Sequence, residues 1–257
     1  MNPEAPELET RARITFGVPV MVTRPVGDEL LPAVLVLHEA WGLTPDIAAA
    51  AERIALAGYM AVAPDLLSGP ARLAGILGEL RKGSGTTVTV VGRILDLISA
   101  MPDSTDHVGV VGFSMGGALA LLTDRHPAVA AISANYCMVP RAALSHRPVP
   151  VVASFGARDL LLPRSDRPLR RRLAGEGVAI HDVVRYPRVG HSFMTEIGGS
   201  RERGATGRLV GMAHQPGAAE HAWSRTLAFL DAALHPASQE VQEPGEVPLG
   251  STNRPFA

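Results

Sequence analysis

A serine bracketed by glycines is the first candidate for chemistry, at Gly112-Phe113-Ser114-Met115-Gly116. An apolar stretch precedes it and a helical pattern follows, which is the context of a nucleophile elbow, the sharp strand-to-helix turn that exposes a reactive serine. The turn is so tight that side chains at the glycine positions would collide, and the helix N-terminus after it favours a developing oxyanion. We therefore predict a nucleophile at Ser114 rather than an ordinary glycine-rich turn.

A reactive serine requires a base to remove its proton and an acid to orient that base. Asp159 is the candidate acid, because it stands in the loop after the apolar run 149–153, where the carboxyl end of a parallel strand would place it. Asp166 and Asp182 are the competing acids, the first at a predicted helix start and the second within a predicted strand.

His191 is the candidate base, since it follows the last strand pattern and the neighbouring Gly190 frees the loop to turn. The other histidines downstream of the acid lie within that strand, in a long loop or in the last helix (His181, His214 and His221, respectively). The predicted reactive set is therefore Ser114, Asp159 and His191, in the chain order serine, acid, histidine.

Two backbone N–H groups are expected to bind an oxyanion. One belongs to Met115, directly after the serine, and the other to Ala40, in the loop after the apolar run 33–37. Glu39 is an auxiliary candidate at the same edge of the sheet, although polar residues that end a buried strand are often structural.

Aromatic residues near these positions are candidates for an apolar pocket wall: Tyr136, and Trp41 and Phe113, for which a place in the core is the alternative. Cys137 is expected to be a buried core thiol.

Short apolar runs alternate with helical patterns along the chain. The runs are continuous, which is typical of strands buried on both faces of a parallel sheet; they span 33–37, 61–63, 108–111, 129–132, 149–153 and, more mixed in character, 179–186. Helices are predicted at 45–57, 73–82, 88–100, 115–124 and 218–234. This order predicts an α/β fold: a doubly wound, mostly parallel sheet with helices on both faces.

One domain is expected over residues 14–235, between an N-terminal extension, 1–13, and a C-terminal tail, 236–257, that has several prolines and no periodicity. The glycine- and arginine-rich stretch 198–217 is interpreted as a long loop, with a solvated loop and a lid as the alternatives.

The composition excludes several classes of protein. The 257 residues are 46% hydrophobic and 19% charged, which excludes wholesale disorder, and the net charge of -1 gives no electrostatic reason to expect a nucleic-acid binder. The single cysteine cannot form an internal disulfide, and no signal peptide or apolar run of roughly 20 residues is visible. We expect a cytoplasmic monomer or small homo-oligomer with a small-molecule substrate, no nucleic-acid or membrane partner, and no metal or organic cofactor.

Several blocks in register resemble the dienelactone hydrolase family. The block Val36-Leu37-His38-Glu39-Ala40-Trp41-Gly42-Leu43 is similar to a family block in which a His-Glu pair precedes an aromatic residue, glycine and leucine. The stretch 53–66 is similar to the next block, where a helix ending in Ala-Gly-Tyr leads to Ala-Pro-Asp-Leu, and 222–230 resembles the C-terminal helix. The resemblance covers about residues 14–235 and implies an α/β-hydrolase fold.

The resemblance implies a catalytic triad of the same three residues, Ser114, Asp159 and His191, and an oxyanion hole of the Ala40 and Met115 N–H groups.

The resemblance also implies that Glu39 contacts the resting nucleophile, but two positions depart from the founding members of the family. Those members have a cysteine where this chain has Ser114, and an arginine that binds the substrate carboxylate where it has Thr195. Two roles therefore stay open for Glu39: holding its loop in place, or tuning the reactivity of Ser114.

We expect a serine esterase or lactonase that acts through an acyl-enzyme. The alternatives are a true dienelactone hydrolase (carboxymethylenebutenolidase) of aromatic catabolism, an acyl transferase or peptidase, and a non-catalytic ligand-binding protein of the same fold. The intact order of serine, aspartate and histidine favours the enzyme, although fold alone does not decide between them.

Overall fold

The computed structural model describes residues 5–68, 73–175, 181–195 and 214–235. The strands are β1 Leu8–Thr15, β2 Val18–Pro25, β3 Leu31–Leu37, β4 Met60–Pro64, β5 Ser104–Phe113, β6 Val129–Asn135, β7 Val151–Gly156 and β8 His181–Tyr186. The helices are α1 Pro45–Leu56, α2 Leu73–Lys82, α3 Thr86–Ser99, α4 Met115–Ala120, α5 Asp166–Gly175 and α6 Pro216–Leu234, with a 3-10 turn at Thr123–Arg125. Within the described residues, the strands form one eight-stranded sheet in the order β1-β2-β4-β3-β5-β6-β7-β8.

The sheet is parallel from β4 through β8, and the hairpin β1–β2 and its pairing with β4 are antiparallel. Strand β3 is buried along its whole length because it has a core on each face. Val34 and Val36 pack in the cluster that includes α1 and α6, whereas Leu35 and Leu37 pack in the cluster that includes α2, α3, α4 and α5. The predicted doubly wound, mostly parallel sheet with helices on both faces is confirmed.

The structure has an N-terminal hairpin, β1–β2, that the apolar pattern of the sequence does not predict. Strand β1 begins at Leu8, inside the stretch 1–13 that was expected to be an extension, so the sheet starts before residue 14. Most residues of β1 are exposed, and its sequence Leu-Glu-Thr-Arg-Ala-Arg-Ile-Thr has no apolar run. The strand forms through its backbone ladder to β2, which runs from Leu8 opposite Pro25 to Thr15 opposite Val18, and burial contributes little.

Helix α1 ends one residue before its predicted bound, and three helices differ by more. Helix α4 ends at Ala120 instead of reaching residue 124, and the 3-10 turn follows it. The Leu122 N–H donates to Leu119 O over 2.9 Å, three residues back, which is the tighter 3-10 spacing. Helices α3 and α6 begin slightly earlier than predicted.

The candidate reactive residues follow the carboxyl ends of parallel strands. Ala40 lies in the loop after β3, Ser114 directly after β5, Asp159 in the loop after β7 and His191 in the loop after β8. Because parallel strands end at the same edge of a sheet, the topology gathers these loops on one side of the molecule.

His38 connects the ends of β3 and β4. Its side chain is completely buried; Nδ1 donates to Glu39 O over 2.5 Å, and Nε2 accepts the Leu66 N–H over 2.9 Å. Burial lowers the pKa of His38 below its ordinary value of 6.5. Because Nε2 is used as an acceptor, the folded protein holds this imidazole in its neutral form.

His38→Gln should therefore change how stability depends on pH. Near pH 8 the variant should lose about 1–3 kcal/mol of unfolding free energy, because buried hydrogen bonds are broken or weakened. Below pH 6.5 the unfolded wild-type chain protonates His38 while the folded state resists it, so wild-type stability falls as pH falls. The difference between wild type and variant should shrink near pH 5, as measured by urea unfolding at both pH values.

His107→Gln is the matched control, since His107 is an exposed residue of β5. Its unfolding free energy should follow that of the wild type at both pH values. A gap for His38→Gln that stays constant or widens toward pH 5 would contradict a neutral buried imidazole.

Candidate active site

Ser114 stands at a sharp turn between β5 and α4. Its backbone has φ 52° and ψ -111°, a conformation that persists in a non-glycine residue only where the surroundings enforce it. Its N–H donates to Asn135 O over 3.0 Å. A Cβ at Gly112 would collide with the carbonyl of Gly116, and a Cβ at Gly116 would collide with the carbonyl of Leu37. The glycines predicted to be necessary therefore have a direct steric reason.

The structure brings Ser114, His191 and Asp159 into one line of hydrogen bonds. Ser114 Oγ lies 2.8 Å from His191 Nε2, and His191 Nδ1 lies 2.7 Å from Asp159 Oδ2. Since a carboxylate accepts and does not donate, Nδ1 carries the proton and Nε2 accepts the serine hydroxyl. His191 and Asp159 are only 2% and 4% exposed. A base oriented in this way can take a proton from the serine.

The Asp159 carboxylate is fixed by its own loop. While Oδ2 faces His191, Oδ1 accepts the backbone N–H groups of Leu161 and Leu162, both over 2.9 Å. The acid loop is also joined to the loop of the base, because the N–H of the residue before Asp159 donates to Val189 O over 2.8 Å. The imidazole therefore meets a carboxylate oxygen whose position is set by backbone.

The competing acids and one competing histidine have other partners. Asp166 opens α5, as expected, and lies 3.5 and 3.7 Å from arginine side chains of α5 and β8. Asp182 pairs at 2.6 Å with an arginine of α6. Nδ1 of His221 lies 2.9 Å from the hydroxyl of Tyr186. Each of these residues therefore has a structural partner of its own.

The two loops expected to bind an oxyanion lie side by side. Helix α4 begins at Met115, and N–H groups in the first turn of a helix have no acceptor within that helix. Gly116 packs tightly against the backbone of Leu37 and His38, so the start of α4 touches the end of β3, from which the loop of Ala40 departs. The use of the Met115 and Ala40 N–H groups as an oxyanion hole stays a prediction.

The Glu39 carboxylate is buried and accepts three hydroxyl hydrogen bonds. Its Oε1 accepts from Tyr136 over 2.9 Å and from Thr195 over 3.1 Å, and its Oε2 accepts from Ser192 over 3.1 Å. The Ser114 hydroxyl bonds to His191 instead. The hydroxyl proton of Ser114 is therefore directed at the base, and the contact between Glu39 and the resting nucleophile that the family resemblance implies stays a prediction.

Ser192 is not among the site residues predicted from the sequence. Thr195 is named there only because founding members of the family have an arginine at that position. Both residues are buried. Their places in the chain, directly after and four residues after His191, are the signal that could have found them, since this loop reaches the edge where Glu39 lies.

Phe113 and Tyr136 lie in the interior of the protein, and their role as a pocket wall stays a prediction. Both residues are completely buried, and the ring of Phe113 lies between those of Tyr136 and Trp223, with centroids 6.2 and 5.7 Å away. Both rings belong to the core cluster that includes α1 and α6. Trp41 is 52% exposed on the loop of Ala40, and its role as a pocket wall stays a prediction.

Cys137 is completely buried, and burial raises its pKa to about 12. The expectation of a core thiol is confirmed.

Residues 198–213 of the predicted long loop and the tail 236–257 lie outside the described residues. Within the part of the chain that the structure describes, no group of three or more His, Cys, Asp or Glu side chains is arranged to hold a metal ion. No helix in these same ranges is long and apolar enough to cross a membrane.

Comparison with known sequences gives one consistent family. Residues 18–234 match the family model described as "Dienelactone hydrolase family". A protein of Salmonella typhimurium named "Putative carboxymethylenebutenolidase" is 26% identical over 209 residues, which cover 68% of this chain and 73% of that protein. A protein of the same name from Escherichia coli is 24% identical over 247 residues, covering 83% and 82% of the two chains.

Solved structures share the fold at low identity. A dienelactone hydrolase-like promiscuous phosphotriesterase from metagenomic libraries has a TM-score of 0.71 at 20% identity, covering 88% of this chain and 98% of that one. A dienelactone hydrolase from Anabaena variabilis has a TM-score of 0.61 at 19% identity, covering 90% and 99%. An esterase from Rhizomucor miehei has a TM-score of 0.61 at 13% identity, covering 91% and 86%. These similarities show the α/β-hydrolase fold, and the match over residues 18–234 shows that the chain belongs to the dienelactone hydrolase family.

Proposed function

We propose that the protein is a serine hydrolase that cleaves a small ester or lactone through a triad of Ser114, His191 and Asp159. The observation that carries the proposal is the continuous pair of hydrogen bonds from Ser114 Oγ to His191 Nε2, 2.8 Å, and from His191 Nδ1 to Asp159 Oδ2, 2.7 Å. The strained backbone at Ser114 costs about 1–3 kcal/mol. A protein that only bound a ligand would have no use for a strained serine aimed at an oriented base.

In the proposed reaction, Ser114 Oγ attacks the carbonyl carbon while His191 Nε2 takes the hydroxyl proton. The N–H groups of Ala40 and Met115 bind the oxyanion of the tetrahedral intermediate. His191 then returns the proton to the leaving oxygen, and an acyl-enzyme remains on Ser114; with a lactone, the released hydroxyl stays attached to the acyl chain. A water molecule, deprotonated by His191, hydrolyses this intermediate.

Asp159 contributes orientation and charge. Its hydrogen bond keeps the proton on Nδ1, so that Nε2 is free to act as the base, and its negative charge stabilises the imidazolium formed during attack. Because two backbone N–H groups hold its other oxygen, the carboxylate does not have to reorganise when that charge develops.

The family supports an ester or a lactone as the substrate. The name of the curated relatives denotes action on a butenolide, which is a lactone, and structural neighbours include esterases. Thr195 carries no charge and donates its hydroxyl to Glu39. We therefore propose a substrate that places no carboxylate at this position.

Substitution of the triad tests the proposed function. Ser114→Ala and His191→Ala should each lower kcat/KM for p-nitrophenyl butyrate by about 10⁴-fold or more, because the nucleophile or its base is removed. Asp159→Asn should lower it by about 10⁴-fold, since an amide can donate to Nδ1 and so favour the wrong tautomer. Steady-state assays on the purified variants measure these losses.

Asp166→Asn is the matched control, because Asp166 is a buried aspartate of the same region that pairs with Arg170 and Arg185. It should keep kcat/KM within about threefold of wild type. Wild-type turnover by Ser114→Ala would disprove the assignment of the nucleophile. A wild-type protein inactive on a broad panel of esters and lactones would favour the ligand-binding alternative.

The uncharged residue at position 195 predicts a preference for neutral substrates. The kcat/KM for p-nitrophenyl butyrate should exceed that for mono-p-nitrophenyl succinate by about tenfold or more, because the succinate carboxylate would lose hydration without a cation at this position. Both esters are assayed at one ionic strength, with dienelactone beside them. A higher kcat/KM for the succinate or for dienelactone would refute this preference and favour a true dienelactone hydrolase.

A further inference from the structure

One buried carboxylate connects the loop of the proposed base with the loop of the proposed oxyanion hole. We propose that Glu39 is a positioning residue for His191: by accepting hydrogen bonds from Tyr136, Ser192 and Thr195, it fixes the base loop against the ends of β6 and β3. This inference rests on the proposed function, because it assigns Glu39 an effect on turnover at the same site.

A carboxylate is suited to gather these hydroxyl groups because it accepts hydrogen bonds and never donates them. The distances from its oxygens are 2.9 Å to Tyr136 Oη, 3.1 Å to Thr195 Oγ1 and 3.1 Å to Ser192 Oγ. The donors are at most 3% exposed, so bulk water does not compete for them. Hydrogen bonds to an ionised acceptor in such a place are stronger than those between neutral groups. The three hydroxyls are therefore held in place.

Two of the donors sit on strained backbone. Tyr136 has φ 37° and Ser192 has φ 55°, both in the left-handed region that residues with side chains rarely adopt. Such conformations persist only where the surroundings over-determine them. Because both side chains donate to Glu39, the carboxylate is one of the contacts that hold the turns after β6 and β8.

Two of the hydroxyl donors connect Glu39 to the imidazole of His191. Ser192 directly follows His191 in the chain, and Thr195 Oγ1 also lies 3.4 Å from Ser192 O, which closes the loop on itself. Tyr136 presents its ring edge-on to His191, with centroids 5.2 Å apart and planes at 67°. A displacement of either neighbour would shift Nε2 relative to Ser114 Oγ, and a misplacement of about 1 Å can lower a rate about 100-fold.

Glu39 is itself fixed at the end of β3. Its carbonyl accepts the buried His38 Nδ1 over 2.5 Å and the Gly42 N–H over 3.5 Å, and Ala40 is the next residue. One residue thus joins the proposed oxyanion loop to the base loop. This arrangement differs from that of a partner for the nucleophile, since Ser114 Oγ already bonds to His191.

Tyr136→Phe and Thr195→Val each remove one hydroxyl and keep the shape of the side chain. Each should lower kcat for p-nitrophenyl butyrate about three- to tenfold, with KM within about twofold of wild type, because the base is displaced while substrate contacts remain. Glu39→Gln keeps the size of the side chain and removes its charge, and should lower kcat about 10- to 100-fold.

The double variant Glu39→Gln with Tyr136→Phe tests whether the two substitutions lower kcat through one shared mechanism or independently. If Tyr136 acts through Glu39, its substitution should cost less than about twofold in kcat once Glu39 is replaced. Fully additive losses would overturn the proposal. If Glu39→Gln fails to fold, the kcat and KM of Tyr136→Phe, Thr195→Val and their combination decide the question.

Asp124→Asn and Tyr59→Phe are the matched controls. Asp124 is a completely buried carboxylate that accepts the His146 N–H over 2.8 Å, and Tyr59 is a buried tyrosine packed 5.6 Å from the ring of His235. Both substitutions should lower the melting temperature and leave kcat unchanged.

Labelling of Ser114 by a fluorophosphonate distinguishes failure of this proposal from failure of the proposed function. If the wild type is labelled but the Glu39, Tyr136 and Thr195 variants keep wild-type kcat and lose only melting temperature, the role of Glu39 is structural and the positioning role is refuted. If Glu39→Gln changes the labelling rate while the hydroxyl variants behave as wild type, Glu39 acts on the nucleophile instead. A wild type that is not labelled removes the proposed function, and the positioning role with it.

Discussion

A neutral imidazole can carry its proton on either ring nitrogen. The hydrogen bond from His191 Nδ1 to Asp159 Oδ2 fixes the proton on Nδ1, so that Nε2 is the acceptor. The bond is 2.7 Å long and lies where both residues are almost completely buried, so water does not compete for the proton. Asp159 can hold the imidazole because backbone N–H groups of its own loop hold the other carboxylate oxygen. The chemistry proposed for Ser114 depends on this constraint, since the serine is reactive only while Nε2 is an acceptor.

The parallel sheet places the loops of His191 and Asp159 so that this hydrogen bond can form. Strands β3, β5, β6, β7 and β8 are neighbours and parallel, so their carboxyl ends set the starting points of the loops that carry the site. Ser114, Tyr136 and Ser192 all have positive φ, the first two directly after β5 and β6 and the third in the loop after β8, and such strain persists only where the surrounding structure enforces it. The buried cores on both faces of the sheet are part of that structure. The rigid, well-packed sheet is therefore what allows the strained residues of the site to keep their conformations.

Ser114, Asp159 and His191 could be proposed from the sequence because each carries a local signal: glycines at a turn, or a polar residue in the loop that follows a strand pattern. Strand β1 has no such signal, since backbone pairing rather than burial makes it a strand. The partners of Glu39 are 97, 153 and 156 residues away in the chain, and no local pattern reports contacts of that range. For Phe113 the sequence leaves a pocket wall and the core as alternatives, because its burial depends on packing against Trp223 of the last helix.

The most direct test of the central claim is to locate the covalent intermediate. The folded protein is treated with diisopropyl fluorophosphate, digested and analysed by tandem mass spectrometry, with His191→Ala treated in parallel. We expect a single adduct on Ser114 in the wild type and a rate of modification lower by about 10³-fold or more in the variant, since the serine then has no base. An active protein without an adduct at Ser114, or with its adduct on another serine such as Ser192, would contradict the account.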